Sequence, residues 1–213
     1  MTEPADAAAI AGAKRVLRDA VRRRRAARAP AQRQQDDEQR FAHLAELLAE
    51  RPVRRLAAYL SAGTEPDSLR LVAWSVAHGI EVLLPVLTDG AGSWLREPAW
   101  AAYTGPESLR EGRSRILEPT APPLADALIG VELLVVPGLA ADPAGNRLGR
   151  GGGWYDRARA DHSDLETWLL LNDDEVLGVV PIDTWDLPVD LLVTPRGSQR
   201  AGRGGGASGR ATP

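Results

Sequence analysis

Past residue 53 the chain alternates short apolar runs with helical segments, and that alternation leaves few folds open. The runs are 56–60 (LAAYL), 80–84 (IEVLL), 133–136 (LLVV), 168–171 (WLLL), 176–180 (VLGVV) and 191–193 (LLV). Apolar residues fill neighbouring positions in them rather than every second one. A strand of that kind is buried on both faces, as in a mostly parallel sheet with helices on each side. Residues 67–78 read as a helix between the first two runs. The stretch 93–123 holds Pro98, Gly105, Pro106, Gly112, Pro119, Pro122 and Pro123, and reads as loops with short strands.

Two helices are expected ahead of this unit. Between residues 5 and 29 there is no proline and only Gly12 among glycines, while Ile10, Leu17 and Val21 recur at helical spacing, with Lys14 and Arg18 on one face. Pro30 ends this helix. A second is expected over 36–50, with Asp36, Asp37 and Glu38 at its N-terminus and Phe41, Leu44, Leu47 and Leu48 as its apolar stripe. At the far end, six of the seventeen residues in 197–213 are glycine and none is a large apolar residue, so this segment is expected to be a flexible, disordered Gly/Arg tail. The expected fold is therefore α/β: a three-layer sandwich around a mainly parallel sheet, with one domain over 1–196 and the tail over 197–213.

Charge and composition exclude several classes. Zero cysteines rule out disulfides, thiolate metal sites and a cysteine nucleophile, and fit a cytoplasmic chain. No run approaches the eighteen or so apolar residues that span a bilayer. The early acids Glu3 and Asp6 precede the apolar stretch 7–13 and the arginines follow it, the reverse of a signal peptide. Nine positive charges crowd residues 14–33 against Asp19 alone, whereas 41–196 carry thirteen positives against twenty-three acids, so no global nucleic-acid footprint exists. Arginine outnumbers lysine 25 to 1. The one lysine, Lys14, is thus singled out in a chain that otherwise uses arginine.

The densest chemical signal follows the run at 133–136. Arg147-Leu148-Gly149-Arg150-Gly151-Gly152-Gly153 leads into Trp154-Tyr155-Asp156, which opens a helix. Glycines let backbone N–H groups converge on an anion, the arginines add charge, and a helix N-terminus adds partial positive charge. A mobile connector is the competing reading of any glycine-rich loop. There is no Gly-Lys-Ser/Thr ending, and the glycines stand too far beyond the strand for a dinucleotide fingerprint.

Residues 147–156 resemble the signature loop of the 5-formyltetrahydrofolate cyclo-ligase (methenyltetrahydrofolate synthetase) family. The segments 14–18 (KRVLR), 63–67 (GTEPD), 116–119 (ILEP), 136–139 (VPGL), 180–186 and 193–195 follow in the family's order. The resemblance covers roughly 14–196. It implies ATP- and Mg²⁺-dependent closure of 5-formyltetrahydrofolate to 5,10-methenyltetrahydrofolate with release of ADP and phosphate: the formyl oxygen attacks the γ-phosphate, N10 attacks the activated carbon, and phosphate leaves. Such chemistry needs positioning and charge neutralisation more than a nucleophilic side chain.

Carried over by position, Lys14, Arg147 and Arg150 would act on the transferred phosphoryl group. Arg18, Gly149, Gly151, Gly152, Gly153 and Tyr155 would join them in holding ATP. Leu60, Glu65, Trp154 and Tyr155 would contact the folate, and Asp156 and Asp186 would hold magnesium, which commonly takes one or two carboxylates beside substrate phosphates. Asp183 and Asp190 are weaker candidates for that role. Plain alternatives stand beside these: a solvated Lys14, helix-terminal charges at Asp156 and Glu65, a turn residue at Asp186, and packing for Trp154 and Tyr155. Arg22 to Arg25 and Arg28 read mostly as a solvated face. Trp154 stands where the family usually has Tyr. Ala141, where Phe is common, and Trp185, where many members have His, read as packing changes. The expected partners are the folate and ATP, with neither nucleic acid nor membrane, in a monomer. A catalytically silent folate- or nucleotide-binding paralogue and an RNA-binding adaptor are the alternatives.

Overall fold

The computed structural model describes residues 4–89, 91–113 and 116–202. Helices α1 (Pro4–Ala27) and α2 (Pro30–Glu50) come first. The second begins six residues earlier than expected because Pro30 occupies its first turn, where a missing N–H costs nothing. Strand β1 (Arg55–Ala57), helix α3 (Leu69–Ala77) and strands β2 (Glu81–Thr88) and β3 (Trp94–Tyr103) follow. The strands β4 (Leu109–Glu111) and β5 (Leu117–Pro119) pair as a hairpin outside the main sheet, and β6 (Leu133–Pro137) returns to it. A two-residue-per-strand hairpin, β7 (Ala140–Ala141) with β8 (Arg147–Leu148), leads to the short helix α4 (Trp154–Arg159). Strands β9 (Thr167–Leu170), β10 (Leu191–Thr194) and β11 (Gly197–Arg200) complete the order.

The main sheet runs β11-β10-β9-β6-β1-β2-β3. Its five central strands are parallel, and β3 and β11 pair antiparallel at the two edges. The unbroken apolar runs explain this burial, because odd and even positions serve separate cores. Leu56, Val82, Leu133, Val135, Trp168, Leu170, Leu191 and Val193 pack under α2 and α3 with Leu44, Leu48, Leu71 and Val72. Their neighbours Ala57, Leu83, Leu134, Val136, Leu169 and Leu192 pack on the opposite face with Ala158 of α4, Trp100 and Leu165. A third cluster seats Val21 of α1 on Leu139, Ala140 and Leu148 beside the β7–β8 hairpin.

Three segments depart from the sequence reading. The stretch 93–123 contains the ten-residue strand β3; Pro98 is tolerated because β3 is an edge strand and its register slips across 95–98, so no ladder bond is lost there. The run 176–180 is not a strand. It lies along the hairpin instead, with Leu177 N–H donating to Ala141 O and Val180 N–H to Asp142 Oδ2. The tail boundary also moves: Gly197–Arg200 forms β11, held by β10 and by an Arg200–Glu166 ion pair at 2.8 Å, while 203–213 lie outside the described residues. No described helix is long and apolar enough to cross a membrane.

Candidate active site

The parallel strands lie in the order β2-β1-β6-β9-β10, so successive connections leave β1 and β6 in opposite directions. Ligands bind at such a switch point, beyond the carboxyl ends of the strands, because the diverging connections open a crevice there. Here the chain leaves β1 into Ala58, Tyr59 and Leu60, and leaves β6 through Pro137 into Gly138. Two cavities meet over these ends, one of about 380 Å³ and one of about 450 Å³. They share a wall made of Pro137, Arg150, Gly152, Trp154 and Tyr155.

The first cavity is cationic, and α1 makes it so. Lys14, Val21 and Arg25 are buried at i, i+7 and i+11, with Arg18 half-buried between them, so the helix turns a charged stripe towards the protein. Val21 supplies the apolar anchor; Arg18 reaches the glycine loop, and Lys14 lines the same cavity. Lys14 Nζ donates to Asp183 at 2.6 Å and to Asp186. Arg18 Nε donates to Gly149 O at 2.9 Å. From β8, Arg147 donates to both oxygens of Asp156 at 2.9 Å and to Pro137 O at 3.1 Å, leaving its buried Nε without a partner among the described residues. Arg150 reaches across the shared wall to Glu65 at 2.8 Å. The glycine run is required by its geometry: Gly151 has φ +108° and Gly153 φ +62°, conformations strained for any residue with a Cβ.

Behind this cleft, Arg159 donates to Leu187 O and Pro188 O and braces the turn that carries Asp183 and Asp186. Burial first, then the charge of Arg147, lowers its pKa to about 10. Helix α4 spans only six residues, so the expected helix-terminal contribution is small and the side-chain cations carry the anion field.

The second cavity is largely apolar. Tyr59, Leu60, Pro85, Leu87, Trp94 and Leu117 line it. Glu65 is the acid at its inner end, fixed by the Ala62 N–H at 2.9 Å. Burial, and then the nearby Glu65, push both the Tyr59 and Tyr155 hydroxyls well above their ordinary pKa, so both are neutral donors. Trp154 stands edge-on to Trp100 and Tyr155, at centroid distances of 5.1 and 4.7 Å, and its buried indole N–H has no partner among the described residues.

Lys14, Arg18, Arg147, Gly149, Arg150, Gly151, Gly152, Gly153, Tyr155, Asp156 and Asp186 thus lie around the first cavity, and Leu60, Glu65, Trp154 and Tyr155 around the second. Asp183 joins Asp186 on Lys14, whereas Asp190 is remote and accepts from Thr167 N–H at the start of β9. Two sequence readings need correction. Arg25 does not belong to a solvated face: it is buried, paired with Glu175 at 2.6 Å and donating to Gly138 O where β6 ends. Only its helical spacing from Lys14, Arg18 and Val21 could have revealed this. Trp185 is not packed either; it is 68% exposed at the mouth of the first cavity. Ala141 is fully buried, in keeping with a packing role.

Fold and site together define a doubly wound α/β protein that sets a cleft lined by four cationic side chains directly against a largely apolar one. Residues 10–195 match the 5-formyltetrahydrofolate cyclo-ligase family, and the chain belongs to that family. The 5-formyltetrahydrofolate cyclo-ligase of Mycolicibacterium smegmatis is 33% identical over 145 residues, covering 67% of this chain and 74% of the relative. That of Escherichia coli K12 is 30% identical over 180 residues, covering 82% and 96%. The solved structure of Aquifex aeolicus 5,10-methenyltetrahydrofolate synthetase superposes with a TM-score of 0.75 at 26% identity, over 94% of this chain and 96% of the other.

Proposed function

We propose that the chain closes the ring of 5-formyltetrahydrofolate to 5,10-methenyltetrahydrofolate, consuming ATP with Mg²⁺ and releasing ADP and phosphate. The observation that carries this reading is the shared wall: a triphosphate on the 149–153 loop and a pterin beside Glu65 would meet at Trp154, Tyr155 and Arg150. Holding the two reactants in that register is the main catalytic contribution such a transfer asks of a protein.

Each cation of the cleft already has an internal partner, so binding is an exchange. A triphosphate takes Lys14 from Asp183 and Asp186, and draws Arg150 from Glu65. Glu65 is then free to accept N–H bonds from the pterin edge. Arg147, held by Pro137 O, stays at the junction to meet charge developing on the transferred phosphoryl. Tyr155, neutral, can donate to the formyl or phosphoryl oxygen.

Among the described residues no three His, Cys, Asp or Glu side chains form a ready metal cage. Asp156 and Asp186 nevertheless suit magnesium, which needs only one or two carboxylates when phosphate oxygens complete its shell, and both carboxylates line the same cleft. Bound there, the ion would neutralise charge on the β- and γ-phosphates. We place the activity in the cytoplasm and in a monomer; a chain without cysteine is at home in a reducing compartment.

The test mixes protein, Mg-ATP and 5-formyltetrahydrofolate and follows the absorbance of the methenyl product. Turnover that requires both ATP and Mg²⁺ is the expected result. Ligand-induced thermal stabilisation without turnover would instead identify a silent binding paralogue, a reading nothing in the comparisons favours.

A further inference from the structure

Trp185 is the most exposed of the six tryptophans. It is 68% exposed, with Ile182 at 45% and Val179 at 75% on the same segment, yet it lines the cation-rich cavity beside Lys14, Arg18 and the 149–153 loop. An indole carries one of the largest apolar surfaces a chain can bury, so leaving it in water at the rim of a polar cleft points to a ligand that covers it.

Its presentation is firm. Val180 and Val189 are buried at the two ends of the segment. Asp186 N–H donates to Asp183 O at 3.1 Å and Asp183 N–H to Asp186 Oδ2 at 2.8 Å, closing a turn whose central residues are Thr184 and Trp185. Lys14 binds both flanking carboxylates, and Arg159 holds the carbonyls of Leu187 and Pro188 just beyond. The backbone that carries the indole is therefore held at the cleft's edge by the Asp186 N–H to Asp183 O bond and by Arg159, neither of which a triphosphate on Lys14 would displace.

We infer that Trp185 recognises the base of the nucleotide, its indole stacking on a purine whose triphosphate lies on the 149–153 loop. This rests on the proposed ATP-dependent activity. A bare phosphate ligand would need nothing apolar at the mouth, and the folate groove does not include Trp185 in its lining. Stacking accepts any base, but the larger purine face gains more, so the residue selects nucleotide over inorganic polyphosphate and purine over pyrimidine.

The experiment titrates a non-hydrolysable ATP analogue and inorganic tripolyphosphate into wild type, Trp185→Ala and Trp185→Phe. Trp185→Ala is expected to weaken the analogue about tenfold and Trp185→Phe by about threefold or less, with tripolyphosphate unchanged. In turnover the KM for ATP should rise in step while kcat holds, and the preference for ATP over CTP should narrow. An equal loss of tripolyphosphate, an unchanged analogue affinity, or a change confined to the folate KM would overturn the inference. Should Trp185→Ala melt early, Trp185→Ser takes its place under the same criteria. Wild-type protein that binds the analogue through Trp185 but closes no ring would sink the proposed activity and keep the stacking. Wild-type protein that binds no nucleotide would sink both.

Discussion

Lys14 and Arg25 lie eleven residues apart on one helix stripe and do different work. Lys14 sits between two carboxylates at a cavity wall, where a compact ammonium with three donors can face both. Lys14→Ala is expected to lower kcat/KM for ATP by an amount worth roughly 2–4 kcal/mol, the usual cost of removing a preorganised charge contact. Lys14→Arg should also be clearly impaired, because a planar fork does not replace a point charge between Asp183 and Asp186, while exposed Arg23→Ala should match wild type in the same steady-state assay. Arg25 is structural. Arg25→Ala strands Glu175, 1% exposed, with only Asn172 as a donor partner among the described residues, and such an uncompensated buried charge costs about 3–5 kcal/mol. A thermal melt should fall by roughly 6–20 °C for a chain of this size. Burial alone would lower the Arg25 pKa, but Glu175 outweighs it and the net shift is upward, so the guanidinium stays charged.

At the scale of elements, the glycine loop and the edge strand make opposite demands. The loop must accept positive φ at Gly151, and the Cβ of an alanine there would also stand 3.5 Å from the Arg18 guanidinium. Gly151→Ala is expected to raise the KM for ATP about tenfold or more while moving the melting temperature little, since a loop outside the core escapes a backbone strain of about 1–3 kcal/mol by changing conformation and so gives up the geometry proposed to hold the phosphates. Kinetics and a melt on the same sample decide it. Strand β11 is polar and exposed, yet it covers the edge of β10 and brings Arg200 to Glu166. Ending the chain after Pro195 should therefore lower the melting temperature and expose β10 to edge pairing, read as concentration-dependent association in light scattering. A chain retaining β11 should not associate in this way.

Over the whole molecule, Glu166 ties the end of α2 to the sheet through Arg51 at 2.5 Å, β9 through the Trp168 indole at 2.8 Å, and β11 through Arg200. Burial would raise its pKa, but these donors outweigh burial and hold it below 4.5. The stabilisation is thus fully present above pH 4.5 and is lost as pH falls through the lower folded value. Denaturant melts from pH 7 to pH 3 should show stability dropping on the acid side, and Glu166→Gln should be less stable at pH 7 with a flatter acid limb. An identical acid limb in both proteins would discount this link. The parallel sheet, the N-terminal helices and the glycine loop of the candidate site were legible in the sequence because each rests on local chemistry: unbroken apolar runs, helical spacing, and glycines among arginines. The cationic first helix was legible as a motif, but the pairing of Lys14 with Asp183 and Asp186, and the burial of Arg25, depend on residues more than a hundred positions away. The same holds for β3 and β11, whose weak strand character is overridden by a neighbouring edge. Propensity and spacing act over a few residues, so they determined which elements form and which loop lines the cationic cavity. Only tertiary packing decided that two cavities share one wall, because that juxtaposition comes from strand order, which no local pattern records.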